Sequence, residues 1–158
     1  MPVKPAKPAT ILLPTGPLAP PIISSNWINS QPLSWDGLRG KVVMVEFWTF
    51  SCINCIHVTP AMKGYHKDFS DQGFTLIGVH APEFDYEKVL ANVQKAVKEA
   101  GIEYPVAIDN DFANWQRYAN HYWPAWTLID KRGNVRYSHI GEGAYDETRE
   151  NIKALLAE

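Results

Sequence analysis

Cysteine is almost missing from this chain: two among 158 residues, Cys52 and Cys55, with no third to pair with either. That excludes a framework of several disulfides, and it excludes a zinc site built from two cysteine hooks. Long apolar runs are also missing. No stretch of about 20 apolar residues exists, so no helix is expected to span a membrane. Charge of one sign is not concentrated anywhere. Fifteen Lys and Arg against 17 Asp and Glu give a net charge of −2 without a basic block. The usual electrostatic footprint of a nucleic-acid or anionic-membrane partner is therefore absent. No internal repeat occurs. What remains is ordinary globular composition, 46% hydrophobic and 20% charged. A chain of this length buries about two thirds of its unfolded surface and needs no covalent staple.

Proline is unevenly spread. Eight of the twelve prolines fall in the first 32 residues. The opening "MPVKPAKPATILLPTGPLAPP" has lysines before an apolar stretch, as a signal peptide does, but Pro14, Pro17, Pro20 and Pro21 would break a helical core. Residues 1–21 read as a Pro-rich flexible tail or linker, and residues 22–158 as one domain. The tail is compatible with a remnant export signal or tether and equally with a native cytoplasmic start.

"KVVMVEFW" (41–48) is a short β-branched apolar run, the mark of a strand buried on both faces. Both cysteines follow at once. From Cys52 to about Phe69 a helix is expected, with Ile56, Met62, Tyr65 and Phe69 at helical spacing and a kink at Pro60. "GFTLIGVHA" (73–81) is a second buried strand. "DYEKVLANVQKAVKEAG" (85–101) predicts one helix from Tyr86, Leu90, Val93, Val97 and Ala100, with Asp85 as N-cap and Gly101 at the stop. A strand at 105–109, a short helix at 111–119, a hairpin of 125–130 with 135–141 turning at Gly133, and a closing helix complete the chain. A small strand and a short helical turn precede the main strand, in "NWINSQPLSWDGLRGK". The pattern is α/β: a mixed central sheet with helices on both faces.

Three readings compete for the cysteine pair. A structural bridge across so short a loop would contribute only about 2 kcal/mol, against more than 4 for a long loop. A metal site would need histidines, of which His57 is adjacent and His66, His80, His121 and His139 are scattered; a metallochaperone or metal-binding module is the form it would take. The third is redox chemistry. A pair that follows a buried strand and opens a helix places its first thiol where unpaired N–H groups stabilise a thiolate. The second, one turn in, is shielded and near enough to resolve a mixed disulfide. A C-x-x-C beside a βαβ pattern is a signal for that chemistry.

"VEFWTFSCINCIHVTP" resembles the active-site segment of thioredoxin-fold proteins, and more closely that of TlpA-like and DipZ-type thiol–disulfide oxidoreductases, the redoxins. "LRGK", "GVHAPEF" and "YWPAWTLIDKRG" match in the same order, so the resemblance covers about residues 22–158. It implies a thioredoxin fold and four roles: Cys52 as nucleophile, Cys55 as resolving cysteine, Pro124 as the cis-proline facing them, and Glu46 as the buried acid. A carboxyl in an apolar strand has its pKa raised by desolvation, which suits it to take the Cys55 proton; the plainer reading of Glu46 is a strand residue paired with a lysine. Trp123, Phe50 and Ile53 would form an apolar rim for an extended substrate peptide. Trp48 is expected as packing under the site.

Departures from the family pattern are specific. Ile53 and Asn54 stand between the cysteines in place of Gly-Pro, so a reduction potential is not transferable. Ser51 replaces the usual tryptophan. Val58 stands where some TlpA-like proteins have a glutamate, and Glu83 is the candidate to approach the site instead. The expectation is a monomeric oxidoreductase without organic cofactor or metal, transferring electrons to protein disulfides or a partner oxidoreductase. Family resemblance implies an extracytoplasmic location. The rivals are the metal-binding module and a thiol peroxidase, the latter suggested by Thr49 three residues before Cys52.

Overall fold

The structure, a computed structural model, describes residues 12–158. Its elements run in chain order β1 (Trp27–Ile28), β2 (Val42–Trp48), α1 (Ile53–Phe69), β3 (Phe74–His80), α2 (Leu90–Glu99), β4 (Val106–Ile108), α3 (Ala113–Arg117), β5 (Ala125–Ile129), β6 (Val135–Ile140) and α4 (Tyr145–Leu156). The strands form one sheet in the order β1-β4-β3-β2-β5-β6. β2 runs parallel to β3 and antiparallel to β5. This is the mixed α/β sheet that the apolar runs imply: β2, β3 and β4, joined through α1 and α2, are parallel, and β5 and β6, joined by the hairpin at Gly133 (φ +89°), are antiparallel.

All seven residues of β2 are buried. Because side chains alternate across a strand, they feed two cores. Val42, Met44 and Trp48 pack with Val58, Met62, Tyr65 and Phe69 of α1 and with Ile152 and Leu155 of α4. Val43, Val45 and Phe47 pack on the other face, with Trp115 and Tyr118 against them. Glu46 has the parity of Met44 and Trp48, so it points toward α1 rather than toward solvent.

Three expectations need correction. The buried stripe of α1 is Cys55, Val58, Met62, Tyr65 and Phe69, and Ile56 is half exposed. Cys55 thus heads the apolar face of its own helix, which continues through Pro60 to Phe69. The single helix expected over 85–101 is divided. A 3-10 turn at Asp85–Lys88 is followed by an extended Val89 (ψ 114°), and α2 starts at Leu90. Asp85 caps neither piece; Gly101 does take the left-handed stop (φ +67°).

The flexible tail is the third. Residues 1–11 lie outside the described residues, but 12–19 run along the outer edge of β6. Leu13 N–H donates to Arg136 O (2.9 Å), Val135 N–H to Pro17 O (2.8 Å) and Ala19 N–H to Gly133 O (2.8 Å). The Arg136 guanidinium also donates to Leu13 O. Gly16 permits this approach, since a Cβ there would sit 1.8 Å from Val135 O. Prolines supply no donors of their own, but the residues between them do, and a strand edge offers partners.

Candidate active site

β2 ends at Trp48, and α1 begins five residues later, at Ile53. Cys52 is the N-cap of α1, with extended backbone (φ −73°, ψ 122°). No side chain caps the first turn, and the turn contains no acid. The positive end of the helix dipole is therefore left to whatever stands at Cys52. Cys52 is partly exposed and Cys55 is 1% exposed; both are free thiols. The Cys52 thiol and the Thr49 backbone both bear on the Cys55 sulfur. Burial first, then the Glu46 charge and the neighbouring thiol, push the Cys55 pKa well up; the Thr49 backbone works against them. The two sulfurs thus sit in unlike surroundings, one wet and one dry.

Glu46 lies behind Cys55, 1% exposed. Its Oε2 has no hydrogen-bond partner, so the lysine pairing is not what holds it. Desolvation pushes its pKa up to about 8. The space beside it is made by Gly78, its partner across the β2–β3 ladder. A Cβ on Gly78 would stand 2.8 Å from Trp48 Nε1 and 3.2 Å from Tyr104 Cε2. Trp48 Nε1 and the Tyr104 hydroxyl are likewise buried without partners. Trp48 is packed under the site as expected, edge-on to His80 with ring centroids 5.0 Å apart.

The bond between Trp123 and Pro124 is cis, immediately before β5. Phe50, Cys52 and Trp123 are partly buried against one core cluster, which brings part of the expected rim together. Trp123 is fixed by Trp115, 4.4 Å away, and donates from Nε1 to Ala81 O (2.7 Å). Phe50 stacks on His80 (5.7 Å, 18°). Ile53 is 60% exposed and Asn54 is exposed, both on the outer side of the first turn. His57 pairs with Glu142, Nδ1 to Oε1 at 2.8 Å. Among the described residues no group of three or more His, Cys, Asp or Glu is arranged to hold a metal ion.

Glu83 does not approach the cysteines. It is exposed, and its backbone N–H donates to Glu87 (3.0 Å). The acid that does reach the cysteine loop is Glu87, fully buried. Its Oε2 accepts from the Thr49 hydroxyl, from Ser51 N–H (3.2 Å) and from Ser51 Oγ–H (2.8 Å). Its Oε1 accepts from the N–H groups of Glu83 and Phe84 (2.9 Å). Burial pushes its pKa up, but the hydrogen bonds from Thr49, Phe84 and Ser51 outweigh that and hold it below the usual carboxylate range. His80, beside it, is pushed down to about 4 by burial, and its neutral Nε2 accepts Phe50 N–H (3.2 Å). Neither Glu87 nor His80 stands out in the sequence as a site residue. The one available signal is a pair of hydroxyls, Thr49 and Ser51, in the turn that leads into Cys52.

Residues 18–138 match the AhpC/TSA family. The chain belongs to that family. Protein DipZ of Mycobacterium tuberculosis is 44% identical over 135 residues, which are 84% of this chain and 19% of DipZ. The chain thus spans about a fifth of that relative's length. Thiol-disulfide oxidoreductase YkuV of Bacillus subtilis is 24% identical over 84% of this chain and 88% of its own. The crystal structure of the thioredoxin-like superfamily protein SPOA0173 superposes with a TM-score of 0.83 at 25% identity, covering 89% of this chain and 97% of that one. The fold is thioredoxin-like, and the relatives' names agree with the oxidoreductase expected from the cysteine pair.

Proposed function

We propose that this protein is a thiol–disulfide oxidoreductase that reduces protein disulfides or a partner oxidoreductase, with Cys52 as nucleophile and Cys55 as resolving thiol. The observation that carries this reading is the asymmetry of the pair: an accessible sulfur at an uncapped helix start, in contact with a buried one. Cys52 thiolate attacks one sulfur of the substrate disulfide. A Cys52–substrate disulfide forms, and the other substrate sulfur leaves as a thiolate and takes a proton. Cys55 gives its proton to Glu46 and attacks Cys52 Sγ. The second substrate thiolate leaves, and Cys52–Cys55 remains as a disulfide. Two electrons have passed to the substrate.

Glu46 suits the proton step because its pKa, near 8, lies close to neutrality, and a base is most effective there. Phe50, Ile53 and Trp123 would offer apolar contact to a substrate peptide beside the nucleophile, and the cis Trp123–Pro124 bond leads into β5. The peroxidase alternative is less well supported, because the Thr49 hydroxyl is engaged by Glu87 and not by Cys52. No helix among the described residues is long and apolar enough to cross a membrane. We assign the activity to an extracytoplasmic compartment on the strength of the DipZ likeness.

Equilibration in dithiol/disulfide buffers followed by acid quench, alkylation and intact mass tests the reading. A reversible two-electron couple is expected, and Cys55→Ser should accumulate a mixed disulfide with substrate that Cys52→Ser cannot form. A pair without a reversible couple overturns the proposal, and stoichiometric metal binding by the reduced protein would then carry the metal-binding alternative.

A further inference from the structure

Glu87 is a buried carboxylate beside the cysteine loop that the exchange steps above do not use. It belongs to the loop after β3, 36 residues from Ser51 in sequence, and one carboxylate takes five donors. Three of them come from Thr49 and Ser51, the residues leading into the nucleophile. In the same turn Cys52 N–H donates to Thr49 O (3.4 Å), and the Thr49 backbone bears on the Cys55 sulfur. Holding Thr49 and Ser51 therefore sets both sulfurs. The carboxylate also brings charge. The first turn of α1 contains no acid, and Glu46 behind Cys55 is largely protonated at neutral pH. His80 on β3 is neutral there, the Tyr86 hydroxyl meets Ser51 Oγ at 2.6 Å, and the flanking Lys88 and Asp85 pair with each other at 3.3 Å. Glu87 is thus the anion fixed one residue from Cys52.

We infer that Glu87 is a positioning residue that fixes the Thr49–Cys52 turn and lowers the reduction potential of the cysteine pair by placing a negative charge beside the nucleophile. A fixed anion disfavours the Cys52 thiolate and leaves the uncharged disulfide unaffected. The reduced form is therefore raised relative to the oxidised form, and the pair becomes a better electron donor. The helix start pulls the other way, toward a stable thiolate. The uncapped start of α1 and the Glu87 carboxylate thus act on the Cys52 sulfur with opposite signs. This inference rests on the oxidoreductase reading and adds the direction in which Glu87 tunes its potential.

The test compares wild type with Glu87→Gln, which keeps the shape and removes the charge. The equilibrium constant against glutathione should shift about tenfold toward the dithiol, equivalent to about 30 mV more oxidising. The pH of half-maximal Cys52 alkylation should fall in parallel. Melting temperature is measured alongside. A lower melting temperature with an unmoved equilibrium and an unmoved alkylation profile makes Glu87 a brace only and overturns the inference. Should Glu87→Gln not fold, carboxyl ¹³C shifts of Glu87 in wild type decide. By linkage, a charge that acts on Cys52 must itself respond when Cys52 ionises or is oxidised. A Glu87 titration identical in dithiol and disulfide forms overturns it equally. A wild type without any reversible couple sinks the oxidoreductase reading, whereas an intact couple that Glu87→Gln leaves in place sinks this inference alone.

Discussion

Two buried carboxylates flank the cysteine loop, and their surroundings drive them to opposite states. Glu46, behind Cys55, sits among unpartnered polar atoms on the dry side and is pushed up to about 8. Glu87, on the side of Ser51, is as buried but collects five donors and is held low. Burial is common to both and decides neither alone. The count of hydrogen bonds to the charged form decides. One carboxyl can exchange a proton near neutral pH; the other is a fixed charge. A single loop thereby has a mobile proton on one side and a permanent anion on the other.

The strongest way to break this contrast is Glu46→Gln. If Glu46 takes the Cys55 proton, the resolving step should slow by ~10²-fold, the scale of a lost general base. In wild type that step should accelerate as pH rises through about 8, and the variant should lose this rise. Rapid-quench trapping of the mixed disulfide reads it; equal lifetimes in both proteins would remove Glu46 from the mechanism. Stability supplies an independent reading. Glu46 has a folded pKa above its ordinary value, so its contribution is full below about 4.5 and is lost as pH rises toward 8. At 1.36 kcal/mol per unit the swing is on the order of 4–5 kcal/mol. Glu87 has the opposite sign: its contribution is present above the ordinary carboxylate range and lost on acidification. Denaturant titrations at pH 5 and 9 should therefore show Glu46→Gln gaining on wild type at the alkaline end.

The dry carboxylate was legible in the sequence and the saturated one was not. Glu46 is the one charged residue in "VVMVEFW", and strand alternation already places it on the face of Met44 and Trp48. The sheet, the hairpin at Gly133 and the position of the cysteines at the start of α1 follow from equally local signals. Glu87 gives no such signal. The periodicity of 85–101 counts it on the polar side of a helix, and only contacts with Thr49 and Ser51 turn it inward and divide that helix at Val89. Glu83 was the wrong acid by four residues for the same reason, since loop conformation decides which one reaches the turn. The Pro-rich segment misled differently. Its composition shows an extended chain, but whether an extended chain finds a strand edge is a tertiary matter.

A smaller effect tests the dry side itself. Gly78→Ala would place a methyl group 2.8 Å from Trp48 Nε1, between that ring and Tyr104, beside Glu46. Overpacking of this kind costs about 1–3 kcal/mol. Urea denaturation should show it, and a stability within error of wild type would mean that the region is less closely packed than these contacts require.

The smallest expected effect tests whether charge or hydrogen bonding governs the other side. Tyr86→Phe removes the 2.6 Å contact with Ser51 Oγ and leaves Glu87 in place. The ring keeps its stacking on Phe84 (5.8 Å) and its edge contact with Phe50 (5.9 Å). The lost hydrogen bond is solvent-exposed, and about 0.5 kcal/mol or less is expected in stability. The redox equilibrium should stay within twofold of wild type, because the anion and its bonds to Thr49 and Ser51 persist. Measured beside Glu87→Gln, this variant separates two causes that a single substitution confounds. If Tyr86→Phe moved the equilibrium as far as loss of the carboxylate does, the orientation of Ser51 would be the controlling feature, and the contrast between the two acids would be one of geometry and not of charge.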